Sequence, residues 1–168
     1  ISSSRLGSVL PVVLALVAIW AYFGLTEPAF LSPRNFYYLF MQSSVVGTLA
    51  VGITIVLLIG DIDLSVAATS GVCAAILAVL TTNLGIPAPI SCLAALVAGV
   101  AIGMFQGMMS ALVGIPSFVV TLAGLLGFQG LMLKILGIHG AINVRDPFVR
   151  GITTTTLPVE LGWAVVVA

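Results

Sequence analysis

The sequence predicts an all-α bundle of membrane-spanning helices, and three observations carry that expectation. Hydrophobic residues make up 61% of the chain and charged residues only 6%, with a mean hydropathy of +1.32, whereas a water-soluble domain carries roughly 25% charged residues. The apolar residues fall in runs long enough to cross a bilayer core of about 30 Å at about 1.5 Å per helical residue. The runs do not alternate, and an open sheet could not satisfy its backbone in lipid, so no strands are expected.

The first run, 8–25, has Pro11 in its first turn, where a missing N–H does little harm. Polar Thr26-Glu27-Pro28 follows without a small-x-small cleavage site, so the run reads as a membrane anchor and not as a signal peptide. A shorter second span, 45–60, ends at an acidic break. Residues 64–82, 90–114 and 117–136 give the third, fourth and fifth spans, and 161–168 the start of a sixth. A single transmembrane domain is expected over 1–168. The sequence opens on Ile1 without an initiator Met and stops inside an apolar run, so both ends are expected to be cut.

The connections differ in kind. "TEPAFLSPRN" (26–35) has two prolines, and the aromatic cluster "FYYLFMQSS" after it is expected at the membrane interface. With Trp20, Tyr22 and Phe23 it resembles an aromatic belt. "NLGIPAP" (83–89) and "VGIPS" (113–117) are short turns, while 137–160 is the longest polar stretch, with His139, Arg145, Asp146 and Arg150. Small residues recur at helical spacing: Gly99, Gly103 and Gly107 in span four, Gly124, Gly127 and Gly130 in span five, and Ala67, Ala68, Ser70, Gly71, Ala74 and Ala75 in span three. Such residues let helix backbones approach in lipid, so Gly99, Gly103, Gly107 and Gly124 are expected at helix contacts.

Five basic residues balance five acidic ones without a basic stripe, which argues against nucleic-acid binding. Cys73 and Cys92 lie in apolar runs without CxxC spacing and read as small packing residues. His139 has no second ligand at metal spacing and reads as an interfacial histidine. No metal or other cofactor is expected, and no GxxxxGK[ST] loop for ATP occurs.

Chemistry concentrates in "GDIDLSVAATS", which places Asp61 and Asp63 between two apolar runs. An acid at mid-membrane costs at least about 2.5–3.5 kcal/mol and so faces protein or water. Asp63 can cap span three by accepting the Val66 N–H. The pair can also line a polar hinge on the path of a hydrophilic solute, and the two roles are compatible. An intramembrane aspartyl protease is a further alternative. It takes its carboxylates from different helices, one of them in a GxGD element, whereas here Leu58 occupies the first glycine's place and the acids are neighbours. Gln106, Thr121 and Gln129 are polar groups within apolar spans, suited to interhelical hydrogen bonds or to the path.

Three motifs carry a family resemblance. "GDIDLSVAATSG" resembles the GGIDLSVGS element of the permease subunits of bacterial sugar ABC importers, the ribose/xylose/galactose class. "LSPRNFYYLFMQSSVVGTLAVGITIVLL" is similar to the segment before that element. "IPSFVVTLAGLLGFQG" (115–130) is similar to a later segment in its xylose-type version. The sequence departs from the pattern at Asp61 (commonly Gly), Ala67-Ala68 (Gly-Ser), Gln106 (Asn) and Gln129 (Arg in the xylose type), which bears on the identity of the sugar.

The resemblance implies a roughly ten-span inner-membrane permease that is not itself an enzyme, and of which this sequence is the N-terminal portion. Its implied partners are a second permease copy, a cytoplasmic ATPase subunit, a periplasmic or secreted sugar-binding protein, membrane lipid and a monosaccharide. Asp61, Asp63, Ser65, Gln106, Thr121 and Gln129 are expected on the translocation path or its hinge. The family places the N-terminus in the cytoplasm, so Arg34, Arg145 and Arg150 fall outside against Arg5 inside, opposite to the usual positive-inside bias. The rivals are an ion-coupled carrier using Asp61 or Asp63, and an intramembrane enzyme.

Overall fold

A computed structural model describes residues 3–138 and 140–155, and these form helices and their connections, with no strand among the described residues. His139 and the expected sixth span at 161–168 lie outside the described residues. Six helices follow one another: α1 (Ser3–Thr26), α2 (Pro33–Leu58), α3 (Val66–Ala78), α4 (Ala88–Ala111), α5 (Ser117–Leu136) and α6 (Pro147–Thr154). A π-helical turn, Val79–Asn83, prolongs α3 into an 18-residue span. Five of these helical segments are long and apolar enough to cross a membrane.

The chain forms two compact units, Ile1–Gly52 and Ile53–Ala168. In the first, the turn after α1 is held by rings. Phe30 meets Trp20 edge-on at 5.8 Å and Phe23 at 5.7 Å, while the Asn35 amide donates to the Phe30 carbonyl at 2.7 Å. Helix α2 begins well before the expected 45. Ser32 Oγ accepts the Asn35 N–H at 3.3 Å and Pro33 occupies the first helical position, a combination that starts helices because one free N–H is capped and another is absent. Nothing between Phe36 and Ser44 breaks a helix, so the aromatic stretch expected at the interface forms the first turns of α2. Polar side chains further along bond their own backbone, Ser44 to Met41 O at 2.7 Å and Thr48 to Ser44 O at 2.9 Å.

The second unit is organised around α3, which packs on both α4 and α5. Ser65, Ala68, Val72, Ala75 and Ala78 recur every three or four residues and are all buried, so one face of α3 is nearly all small side chains. Ala88, Ser91 and Ala95 do the same on α4. Where lipid supplies no hydrophobic drive, this smoothness lets the helices close to van der Waals distance.

The glycines sort by position. A Cβ at Gly99 would meet Cys73 Sγ at 3.2 Å, and one at Gly71 would meet Met132 Sδ at 2.6 Å. A Cβ at Gly124 would run into Gln106 Nε2, with Phe128 Cε2 at 3.0 Å and Ser65 Cβ at 3.4 Å. Gly103 and Gly107, expected at a helix contact, have open space beside them among the described residues. The reason is rotation: four residues turn a helix by about 40° beyond a full turn, so a run of GxxxG steps winds off the face on which Gly99 sits.

Helix α6 was not anticipated within the polar 137–160 stretch. Asp146 accepts the Phe148 N–H at 2.8 Å and the Val149 N–H at 3.3 Å, and Pro147 follows at the first helical position. Cap and proline together nucleate two amphipathic turns too short to span a bilayer.

Candidate functional site

Between α2 and α3 the chain unwinds. Gly60 ends α2 at φ +88°, a conformation that favours glycine, with Gly60 N–H bonded to Leu57 O at 3.0 Å and Asp61 N–H to Val56 O at 3.3 Å. This paired closure is the usual glycine stop, and it turns the next residues across the start of α3.

An unwound backbone at membrane depth must find partners for its free N–H and C=O groups. Helix α5 supplies them to Ile62. The Ile62 N–H donates to Ser117 Oγ at 3.3 Å, and Thr121 Oγ1 lies 3.0 Å from Ile62 O and 2.9 Å from Ser117 O. Ser117 and Thr121 stand one helical turn apart, so both hydroxyls address the same residue. Ser117 was not singled out in the sequence. Its signal was present, a hydroxyl four residues before Thr121 on the first turn after Pro116.

Asp63 and Ser65 form the second half of the segment. Asp63 Oδ1 accepts the Ser65 N–H at 2.7 Å and the Ser65 hydroxyl at 2.8 Å. The expected Val66 N–H is therefore not the partner. Helix α3 starts with Ser65 as its N-cap residue, and a carboxylate two residues earlier closes on the N–H of residue i+2 in an Asx turn. The Ser65 hydroxyl is fully buried and has one proton. With that proton donated in the hydrogen bond to Asp63, Gln106 Nε2 in turn donates to Ser65 Oγ at 2.8 Å. A directed chain results, Gln106 to Ser65 to Asp63, joining α4 to the unwound segment through a residue 8% exposed and another 0% exposed. Gln106 Oε1, 3.1 Å from the same hydroxyl, keeps its own lone pairs.

Beside this chain lies a cavity of about 190 Å³. Helix α4 contributes Gly103, Gln106, Gly107 and Ser110 to its wall, α5 contributes Ser117, Val120 and Thr121, and the segment contributes Asp61, Ile62 and Asp63. A volume of this size has room for several waters. Gly103 and Gly107 leave it open where side chains would fill it. The Asp61 carboxylate is half-buried at its edge and accepts no hydrogen bond among the described residues.

Of the expected site residues, Asp61, Asp63, Gln106 and Thr121 come together on this cavity, and Ser65 stands directly behind them. Gln129 does not. It lies eight residues beyond Thr121 on α5, about 12 Å along the helix and turned off the face by about 80°, and its side chain is exposed. Gly124 belongs to the site indirectly, since its missing side chain leaves the room Gln106 occupies.

The chain matches the family described as branched-chain amino acid transport system / permease component over residues 35–164, a stretch that contains every residue of the cavity. The chain belongs to this permease family. The resemblance carried by the three motifs is borne out at that level. The permease is 38% identical over 124 residues to the xylose transport system permease protein XylH of Escherichia coli K12, covering 73% of this chain and 32% of the relative. Identity to the autoinducer 2 import system permease protein LsrC of Salmonella typhi is 36% over 121 residues, covering 72% and 35%. The XylH of Haemophilus influenzae is 36% identical over 122 residues, covering 72% and 32%. The chain thus spans about a third of the length of the curated relatives it matches. No solved structure matches it. Family and apolar helices together make this a multi-pass protein of the bacterial inner membrane.

Proposed function

We propose that this permease works as the membrane-spanning subunit of an ATP-driven importer, moving a monosaccharide by alternating access and catalysing no reaction itself. The observation that carries the reading is the small cavity at the unwound segment, whose mostly apolar wall, lined in part by Val56 and Ile59, carries a few polar groups. Its wall offers carboxylates, hydroxyls and an amide, and no cation. A neutral polyol needs hydrogen-bond partners of both kinds and no counter-charge, and this wall supplies them. The relatives' names, a xylose permease and an autoinducer 2 import permease, support a sugar-like solute. Asp61, Asp63, Gln106 and Thr121 would face the solute, with Ser65 holding the wall. Gln129 would act elsewhere, on a surface completed by further parts of the protein.

In this reading residues 1–168 form part of one permease domain that pairs with a second copy. A cytoplasmic ATPase subunit drives it, and a periplasmic or secreted binding protein delivers the sugar. Alternation requires each partner to bind one state better than the other.

The Asp61 carboxylate, without a hydrogen bond at the cavity edge, favours a second reading in which it binds H⁺ or Na⁺. Proteoliposomes carrying the full-length permease, its ATPase and its binding protein separate the two. A panel of labelled pentoses and hexoses should show uptake that requires ATP hydrolysis and persists when ionophores collapse the gradients. Gradient-driven uptake without the ATPase would establish the ion-coupled carrier instead.

A further inference from the structure

At the face of the second unit opposite Asp61 and Asp63, α3 and α5 both end. Short connections join α3 to α4 and α4 to α5, so α3 and α5 run the same way. The π-helical turn and the chain after Gly137 therefore meet there. All three cations of residues 53–168 lie at this face: Lys134 in the last turn of α5, Arg145 in the returning chain, and Arg150 on α6. The described acid at this face, Asp146, has its carboxylate engaged in capping α6.

A concave site of about 560 Å³ opens here, lined by Thr81, Thr82, Asn143, Arg145 and Asp146. The Thr81 hydroxyl donates to Leu77 O at 2.7 Å. The Thr82 hydroxyl, the Asn143 amide and the Arg145 guanidinium remain as donors, and Arg145 has no carboxylate partner among the described residues. Next to this donor set runs α6, whose Phe148 and Ile152 are 48% and 63% exposed and lie one turn apart on a single face. A short helix with one apolar face and a polar one suits the membrane interface, with the apolar face toward the acyl chains.

We infer that this face holds an anionic phospholipid, with its phosphate in the Thr82–Asn143–Arg145 concavity and its chains against Phe148 and Ile152. The juxtaposition decides the class of ligand. A free anion would use the donors and leave the apolar face in water, and a neutral lipid would not use the cations. An amphiphile with a negative head uses both. Guanidinium and amide donors suit phosphate oxygens, and a basic residue at an interface attracts anionic lipid. The inference does not depend on which solute the permease carries.

The test uses the full-length permease in phosphatidylcholine nanodiscs doped with phosphatidylglycerol, reading retained lipid by native mass spectrometry and by displacement of a fluorescent phosphatidylglycerol. Wild type should retain phosphatidylglycerol over phosphatidylcholine. Arg145→Gln should weaken that retention about fivefold, Arg145→Lys less, and Phe148→Ser should weaken it with all charges kept. Inorganic phosphate should not displace the lipid at matched concentration. Should Arg145→Gln not assemble, Asn143→Leu and Thr82→Val remove donors from the same wall and give the reading. Equal retention in the variants, no lipid preference in wild type, or displacement by phosphate alone would each overturn the inference. So would loss of binding-protein affinity in Arg145→Gln with lipid retention unchanged, since the face would then serve a protein.

Discussion

Replacing Gly124 by alanine should sharply lower the membrane-assembled yield of the permease, while the same change at Gly127 should leave it unaltered. A Cβ at Gly124 would occupy the place of Gln106 Nε2 and press on Phe128 Cε2 at 3.0 Å. Gln106 cannot retreat freely, because its amide is buried and donates to Ser65. Overpacking costs about 1–3 kcal/mol, and a buried partner left unsatisfied costs about 1–3 kcal/mol more. Gly71→Ala should be milder although its Cβ would lie only 2.6 Å from Met132 Sδ, since the end of a methionine can swing aside. Gly127 has nothing within 4 Å and serves as the control. The readout is monodisperse yield by fluorescence-detected size exclusion, with Tm alongside. Normal yield and Tm in Gly124→Ala would show that the Gln106 site is plastic.

The second large effect separates the two aspartates. Asp63→Ala removes the acceptor of both the Ser65 N–H and the Ser65 hydroxyl. It thereby unties Gln106 from the unwound segment. Hydrogen bonds to a charged group contribute about 1.5–3 kcal/mol, so assembly and uptake should fall together. Asp63→Asn should be milder, because an amide oxygen still accepts from the Ser65 N–H. Asp61→Gly should assemble normally, since no described hydrogen bond depends on that carboxylate, and should change the rate or preference of uptake. Sugar uptake measured beside assembled yield in the full-length permease reads all three. Abolished uptake in Asp61→Gly with a silent Asp63→Ala would reverse the assignment.

The membrane bundle was legible in apolar run length alone, and the fifth span came out as 117–136 because Gly114-Ile115-Pro116 and Gly137 bracket it. Shorter signals were masked by that same criterion. Ser32-Pro33 and Asp146-Pro147 are both cap-plus-proline starts, yet one lies before an aromatic stretch and the other inside a polar one, so neither adjoins a long apolar run. Within the site, Asp61, Asp63, Gln106 and Thr121 were legible as polar groups in apolar surroundings. The cap partner shifted by one residue, because an Asx turn and an N-cap differ only in where the helix begins. Ser117 stands at a helix start, where a serine is ordinary, so its residue type alone does not mark it as a partner of Ile62. The division of the glycines into those that admit a neighbour and those that open the cavity depends on helix rotation relative to partners, which spacing alone does not set.

The proposed solute path can be probed at Gly103, which lines the cavity and has room for a side chain. In the full-length permease with Cys73 and Cys92 replaced by alanine, Gly103→Cys should react with a hydrophilic thiosulfonate reagent. The sugar that the permease takes up should slow that reaction, while a cysteine at Gln129 should show no such protection. A Gly103→Cys that remains unlabelled, or is labelled equally with and without sugar while uptake persists, would contradict passage of the solute through this cavity.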